Sequence, residues 1–316
     1  MNELSKEMQI SADYQGQRID RVLAQLFPDY SRSKLCSWLK AGAITVNNQH
    51  YKPDEKVWGG EHVILQLAPS ISPLHLEAEN IPLDIIFEDE ELLVLNKPAG
   101  LIVHPGAGNP RHTLVNALLH HDAKLYDLPR AGIIHRLDKD TTGLLVVAKT
   151  LETHTSLVRQ MQAREIQRQY ITLVHGHVIG GGTLNTAYGR DPRNRLKMAV
   201  CAQGREAITQ YSVKKHYQFV TLLNVQLMTG RTHQIRVHMA HLNHAVVGDP
   251  LYQGRTGLRA GINPTIRQAL QQFKRQALHA SNLSFLHPKL ETTVSCAAPL
   301  PDDLQSLINL LDAPHD

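Results

Sequence analysis

Apolar residues predict a small α/β unit near the start of the chain. Residues 18–27 carry apolar side chains at the spacing of one helix face. Residues 31–40 predict a second helix, with Ser31 as its N-cap. The segments 43–47 and 62–67 have the aliphatic and β-branched composition of strands. This pattern favours a separate small domain with two helices and a short sheet.

The rest of the chain carries more strand patterns than helix patterns. Strands are predicted at 85–87, 92–95, 144–148, 170–174 and 221–227, and a helix at 153–165. The first two strands flank a turn and predict a hairpin. Because strands and helices do not alternate regularly, we expect an α+β fold with a mixed, largely antiparallel sheet.

Four parts of the chain follow from these patterns. Residues 1–10 are expected to be an N-terminal tail, and residues 11–72 the small domain. Prolines in and around residues 73–83 predict a linker. Residues 84–316 are expected to form the larger domain, which at this length can bury a substantial core.

The composition narrows the class of protein. The chain has 316 residues, of which 42% are hydrophobic, and this excludes a disordered chain. No stretch approaches the ~20 apolar residues of a membrane span, and the first residues lack the pattern of a secretory signal. The three cysteines lie far apart without a CxxC motif, which argues against a disulfide framework or a zinc ribbon. We therefore expect a cytoplasmic protein.

Charge is distributed unevenly, although the formal net charge is only +4. Residues 73–92 hold seven acids and no Lys or Arg, whereas residues 93–301 hold 25 Lys and Arg against 10 Asp and Glu, a net +15. Such an excess attracts a polyanion, most often a nucleic acid. A solvated basic surface without a partner fits the same counts.

The small domain is neutral overall but has a basic second helix. Arg32, Lys34 and Lys40 lie on it, and a helix of this kind suits contact with RNA or DNA. A plain α/β domain without a nucleic-acid partner is the competing interpretation.

The segment 133–143 (IIHRLDKDTTG) is the first of three candidate sites. It places Asp138 and Asp140 in a turn directly before a core strand, where side chains are held rigidly. The two carboxylates fit an acid/base pair, a metal site or one nucleophile with a bystander. They also fit aspartates that only cap a turn.

The segment 229–238 (TGRTHQIRVH) is the second. Arg231 follows a turn, and its guanidinium suits either holding a catalytic carboxylate or binding phosphate. Histidines recur at 233, 238, 241 and 244, but their spacing resembles neither HExxH nor a zinc finger. We therefore expect no metal site here.

The third candidate, segment 96–108, has glycines that can bring backbone amides close to a ligand. It lacks the Gly-Lys-Ser/Thr ending of a phosphate-binding loop, and no GxGxxG opens a helix in the basic region. Nucleotide-cofactor chemistry is disfavoured, and a structural loop is the competing interpretation.

Taken together, these segments resemble the RluA-type pseudouridine synthases. The similarity lies in 135–144 (HRLDKDTTGL), 96–101 (NKPAGL) with 103–105 (VHP), 230–236 (GRTHQIR), and 248–250 (GDP) with Tyr252. The small domain resembles the alpha-L RNA-binding domain of many such enzymes. The sequences of residues 103–110 and 129–135 are most similar to those of the RluD branch, which modifies the helix 69 loop of 23S rRNA.

The resemblance implies roles for particular residues. Asp138 matches the catalytic aspartate, and Arg231 is expected to be its ion-pair partner. Tyr170 matches the tyrosine that packs against the target base, and Arg136 the arginine that enters the RNA helix as the base leaves. Gln169 departs from the family, which often has an acid there. Arg32, Lys34 and Lys40 are expected to bind RNA.

The implied reaction is the isomerisation of specific uridines to pseudouridine by an enzyme acting as a monomer. It involves no redox change, so no cofactor and no metal are expected. Two alternatives remain at this point. One is a non-catalytic RNA-binding or ribosome-assembly factor, and the other is a metal-dependent RNA hydrolase.

Overall fold

A computed structural model describes residues 4–27, 32–67, 76–106, 108–194, 196–253 and 261–314. The chain divides into two compact units, Met1–His75 and Leu76–Asp316. Each has its own hydrophobic core. Among the described residues, no helix is long and apolar enough to cross a membrane.

The first unit packs two helices against a three-stranded antiparallel sheet. The helices are α1 (Ile19–Leu26) and α2 (Arg32–Lys40). The strand order is β1 (Leu4–Gln9), β3 (His62–Leu67), β2 (Ile44–Val46). The predicted helices and strands of this unit are therefore present, whereas Ser31, the expected N-cap, lies outside the described residues.

The expected tail at residues 1–10 is the main difference in this unit. Residues 4–9 form β1 and pair with β3 over its full length, from Leu4 opposite Leu67 to Gln9 opposite His62. The sequence prediction was wrong because this strand alternates weakly and its partner is far along the chain. The compact unit thus extends beyond the expected 11–72.

The expected linker, residues 73–83, is described only from residue 76. There it is bound to the second unit. Asn116 donates through Nδ2 to the carbonyl of Glu77 at 2.7 Å, and the Glu79 amide donates to the Asn116 carbonyl at 3.0 Å. Residues 76–83 are therefore anchored rather than a free connection.

The second unit is built on a ten-stranded sheet. Its order is β4-β5-β6-β12-β7-β11-β10-β8-β9, with β13 paired to β12. The strands are β4 (Ile85–Glu88), β5 (Leu92–Lys97), β6 (Thr142–Ala148), β7 (Gln167–His175), β8 (Gly182–Arg190), β9 (Met198–Val200), β10 (Arg205–His216), β11 (Val220–Leu227), β12 (Leu278–Leu286) and β13 (Thr293–Ala297). Among the described strands of this sheet, β6 and β12 alone pair in parallel, so the predicted α+β fold with a mixed, largely antiparallel sheet is confirmed.

Five α-helices of this unit lie within the described residues. They are α3 (Leu114–His121), α4 (Leu151–Ala163), α5 (Gln234–His241), α6 (Pro264–Gln272) and α7 (Asp302–Asp312). The helix predicted at 153–165 is α4, which begins and ends two residues earlier. Thr150 caps its start by accepting the Thr153 amide, and Arg164, in the left-handed conformation, ends it.

The sheet brings Tyr170 and the first candidate segment into one row. Tyr170 on β7 lies opposite Ala280 on β12, and Ala280 pairs with Gly143 at the start of β6. Asp138 lies in the turn that leads into β6. Tyr170 and the Asp138 turn are therefore two strands apart on the same part of the sheet.

Gly143 is a position that only glycine fits. Its φ is 110°, and a Cβ there would meet the backbone of Ala280 on the neighbouring strand. We expect Gly143→Ala to lower the free energy of unfolding by about 2 to 4 kcal/mol, because strain and a backbone clash add. Urea unfolding of the two proteins measures this loss.

Gly100→Ala is the matched control. Gly100 also has a positive φ, 84°, but has nothing within 4 Å of its Cβ position. We expect it to cost about 1 kcal/mol through backbone strain alone. Equal losses in the two variants would show that the close approach of β6 to β12 does not matter.

Candidate active site

The turn that holds Asp138 is fixed by hydrogen bonds to its backbone and side chains. The Thr141 amide donates to the Asp138 carbonyl at 3.1 Å. Lys97 Nζ donates to the Lys139 carbonyl at 2.8 Å, and Arg275 donates to the Asp140 carbonyl at 3.3 Å. The Asp138 side chain is left 16% exposed, which suits a group that must meet a substrate.

Lys97 is buried completely beside this turn. Besides Lys139, its ammonium donates to the carbonyls of Pro98 and Leu101 at 2.7 and 2.9 Å. Burial lowers the pKa of Lys97 to about 7, while the charges of Asp140 and Asp138 oppose that shift. No role for Lys97 is predicted from the sequence, because neighbouring residues do not indicate that a lysine is buried.

The Asp138 carboxylate is held by Arg236. Arg236 Nη1 donates to Asp138 Oδ2 at 2.9 Å, and the same guanidinium binds Asp249 through Nε at 2.6 Å and Nη2 at 2.9 Å. Burial lowers the pKa of Arg236, but Asp249 and then Asp138 outweigh it and raise the pKa above its usual value. Arg236 therefore stays charged and fixes the orientation of Asp138.

The prediction that Arg231 forms an ion pair with Asp138 was wrong, because among the described residues Asp138 pairs with Arg236 instead. Arg231 Nε donates to the carbonyl of Glu206 on β10 at 3.1 Å. Its amide donates to Gln234 Oε1, which fixes the turn before α5. Arg231 therefore extends over β10 from a tight turn, whereas Arg236, one turn into α5, reaches Asp138.

A signal for Arg236 did exist in the sequence. Asp249 is an acid inside a strongly basic region, in the segment 248–250, and a buried acid needs a cationic partner. Arg236 was a candidate partner 13 residues earlier. The resemblance drew attention to Arg231 instead.

Tyr170 lies beside Asp138 in the wall of a cavity of about 790 Å³. The ring is 5% exposed, and burial raises the pKa of its hydroxyl, so the side chain is neutral. Asp138 is the only carboxylate among the described residues that line this cavity. The other charged lining residues are Arg130, Arg136, Arg164, Arg168 and Arg231. The cavity therefore suits a polyanionic substrate presented to a single oriented carboxylate.

The four histidines at positions 233, 238, 241 and 244 do not form a metal site. His233 Nε2 is 3.9 Å from Asp138 Oδ1 and bonds Tyr252 through Nδ1. His238 bonds threonines of β8 and β10, and His244 bonds the His175 carbonyl. Within the described part of the chain, no group of three His, Cys, Asp or Glu is placed to hold a metal ion.

The basic helix of the first unit is only partly available to a ligand. Arg32 pairs with Asp20 at 2.6 Å while its side chain stays 50% exposed, and Asp20 also binds Arg18. Lys40 is exposed at the end of α2. The side chain of Lys34 lies outside the described residues.

Comparison with protein families agrees with this arrangement. Residues 91–241 match the RNA pseudouridylate synthase model, and residues 17–63 match the S4 domain. The first match spans the Asp138 turn, Tyr170 and Arg236, and the second spans α1, α2, β2 and the first two residues of β3.

Comparison with individual proteins covers nearly the whole chain. The protein named ribosomal large subunit pseudouridine synthase D from Xylella fastidiosa is 51% identical over 94% of this chain and 89% of its own. The protein of that name from Escherichia coli K12 is 47% identical over 96% and 93%. The solved structure titled human RNA pseudouridylate synthase domain containing 1 is 25% identical, covers 78% of this chain and 99% of its own, and has a TM-score of 0.54. This chain belongs to the RNA pseudouridylate synthase family, with an S4 domain at its N-terminus.

Proposed function

We propose that this protein isomerises uridines of the large-subunit ribosomal RNA to pseudouridine, in the loop of helix 69 of 23S rRNA. The names of the relatives support the large subunit as substrate. The sequence similarity to the branch that modifies helix 69 supports the loop. We further propose that it acts as a monomer in the cytoplasm, where ribosomal subunits are assembled.

One observation carries the catalytic proposal. Asp138 is a single partly exposed carboxylate, fixed by Arg236, at the wall of a cavity lined by five arginines. Among the described lining residues, a polyanion drawn to these arginines meets only one carboxylate, the group that can act as a nucleophile or a base. We assign that role to Asp138 and no catalytic role to Asp140.

The reaction needs little besides an oriented carboxylate. The N1–C1′ bond of uridine breaks, the base turns, and a C5–C1′ bond forms. C5 loses its proton and N1 gains one, so the product is an isomer and no electrons are exchanged with a cofactor. The Asp138 carboxylate can attack at C1′ or at C6, and Arg236 holds that carboxylate in place in either case.

The neighbouring residues serve extrusion of the base. Taking a nucleotide out of a folded RNA costs a few kcal/mol. Arg136 is exposed at the cavity wall, two residues before Asp138, and we propose that it fills the gap left in the RNA. The ring of Tyr170 packs against the extruded base, a contact worth about 1 to 3 kcal/mol.

The decisive experiment is a map of pseudouridines in rRNA and tRNA from a strain lacking this protein. We expect the sites in helix 69 to be unmodified and to be restored when the gene is returned. Unchanged helix 69 together with a loss elsewhere would replace the substrate in this proposal. An unchanged map throughout would overturn the proposal altogether.

The first unit is proposed to strengthen and direct RNA binding. Removing residues 1–75 is expected to weaken binding of an rRNA fragment about 10- to 100-fold, since one of two linked binding modules is lost. The salt dependence of binding should also become shallower, because fewer phosphates are contacted.

Because the second unit has its own core, its thermal unfolding should be nearly unchanged by this truncation. Binding is measured by titration at several salt concentrations, with sites mapped in parallel. A truncated protein that modifies rRNA at the normal rate and at the normal sites would contradict the proposed role.

A further inference from the structure

Arg168 is a buried cation without a counter-ion. The residue is 6% exposed and lines the same cavity as Asp138. Its single hydrogen bond is a weak one, from Nη2 to the Leu227 carbonyl at 3.4 Å, and Nε is buried without an acceptor. No carboxylate lies within ion-pair distance of it among the described residues.

A buried arginine of this kind is costly. Arginine cannot give up its proton at ordinary pH, so it cannot escape the cost by becoming neutral. Removing an unpaired charge from water destabilises a fold unless a partner compensates it. A site that contains such an unpaired charge is therefore suited to bind an anionic ligand.

The surrounding wall has further unused hydrogen-bonding capacity. His135 accepts the Val146 amide through Nε2, so its Nδ1 carries the proton, and Nδ1 is buried without a partner. Burial and the charge of Arg168 lower the pKa of His135 to about 3, so the ring is a neutral donor. His104 Nε2, in the same wall, is also buried without a partner.

Position on the sheet places Arg168 next to the expected base. Arg168 and Tyr170 are two residues apart on β7, so their side chains share one face about 7 Å apart. Arg168 also approaches the Cα of Gly230 so closely that a Cβ there would lie 2.7 Å from Nη1. The guanidinium thus lies against the turn before α5, on the face of β7 that also carries Tyr170.

Building on the proposed function, we infer that Arg168 binds the phosphodiester that flanks the target uridine. Uracil is neutral and would leave the charge of Arg168 uncompensated, whereas each phosphodiester carries a full negative charge. A guanidinium also matches two phosphate oxygens with two parallel N–H donors. Arg168 is therefore a substrate-binding residue that locates the backbone while Tyr170 contacts the base.

The test is a double-mutant cycle between protein and RNA. The RNA is a helix 69 hairpin with the native linkage or with a neutral methylphosphonate on the 5′ or the 3′ side of the target uridine. Each RNA is bound to wild type, Arg168→Met and Arg168→Lys, and both the dissociation constant and the single-turnover rate of pseudouridine formation are measured.

For wild type we expect one of the two neutral linkages to weaken binding about 10- to 100-fold, the range for a hydrogen bond to a charged group. Arg168→Met should bind native RNA about as weakly as wild type binds the RNA with the sensitive neutral linkage. Its affinity should not fall further when that linkage is neutral. Arg168→Lys should keep part of the affinity and part of the sensitivity. Equal sensitivity in wild type and Arg168→Met, or none in wild type, overturns the inference.

Thermal unfolding separates this role from a structural one. Methionine has similar length and no charge, so Arg168→Met should be as stable as wild type or more stable. A clear loss of stability in that variant would mean that Arg168 supports the fold, and would overturn the inference. If wild type binds the hairpin but makes no pseudouridine, the proposed function fails instead, and the linkage comparison still reports on Arg168.

Discussion

Asp138→Asn is expected to abolish pseudouridine formation and to leave RNA binding intact. We expect the single-turnover rate to fall by at least about 10⁴-fold, because an amide is neither a nucleophile nor a base. Affinity should be equal or slightly higher, since the change removes a negative charge from a cavity lined by arginines. Rates are followed by mapping pseudouridine in rRNA, and affinity by titration.

Asp140→Asn is the matched control for this variant. It makes the same chemical change two residues away in the same turn, where the backbone carbonyl rather than the carboxylate meets Arg275. We expect its rate to stay within about threefold of wild type, in keeping with a surface substitution. A large loss in both variants would mean that the turn, and not the Asp138 carboxylate, was damaged.

Asp138→Asn and the wild-type protein together decide between the enzyme and its alternatives. An undiminished rate in Asp138→Asn would sink the catalytic assignment, and pseudouridine absent even with wild type would favour an RNA-binding assembly factor. A metal-dependent hydrolase predicts shortened RNA and loss of activity in excess EDTA. We expect full-length RNA and full activity under those conditions.

Arg236→Lys is expected to have the second largest effect. One ammonium cannot reproduce the three hydrogen bonds that the guanidinium makes to Asp138 and Asp249. We expect the rate to fall about 10²- to 10³-fold, comparable to losing one fixed donor in an active site. Stability should fall by about 3 kcal/mol, because Asp249 loses its paired contact while buried.

A second change separates the effect on rate from the effect on stability. Adding Asp249→Asn to Arg236→Lys removes the buried unpaired carboxylate and should restore most of the stability. The rate should stay low, because Asp138 still lacks its fixed partner. Full recovery of the rate would show that Arg236 acts only through the fold.

Arg231→Lys provides the comparison that tests the corrected pairing. Arg231 contacts a backbone carbonyl of β10 and not Asp138. We expect unfolding within about 0.5 kcal/mol of wild type and a rate reduced less than in Arg236→Lys. A larger loss of rate in Arg231→Lys than in Arg236→Lys would contradict the assignment of Arg236 as the partner of Asp138.

Local features of the sequence were predicted well because they depend on near neighbours. The apolar spacing of 18–27 gave α1, and the unbroken apolar run 144–148 gave a strand that is buried at every position. Asn47 and Asn48, where the strand predicted at 43–47 ends, both have the positive φ of a tight turn. Each of these follows from a few consecutive residues.

Features that join distant parts of the chain were predicted poorly. The strand β1 escaped notice because residues 4–9 are a strand only when β3 is beside them. Lys97 looks like an ordinary lysine until the fold surrounds it with three carbonyls. No role was predicted for Arg168, because burial without a counter-ion cannot be seen in a sequence.

The sequence by itself determined the fold class, the S4 and synthase domains, and Asp138 as the candidate catalytic residue, since these depend on local patterns and family motifs. The tertiary structure alone decided that Arg236 rather than Arg231 holds Asp138. Arg236 and Asp138 are 98 positions apart in the sequence and meet only in the folded chain. The tertiary structure also decided that Arg168 has no carboxylate partner among the described residues. The physical reason is that electrostatic pairing depends on distance and burial in three dimensions, and neither is encoded by spacing along the chain.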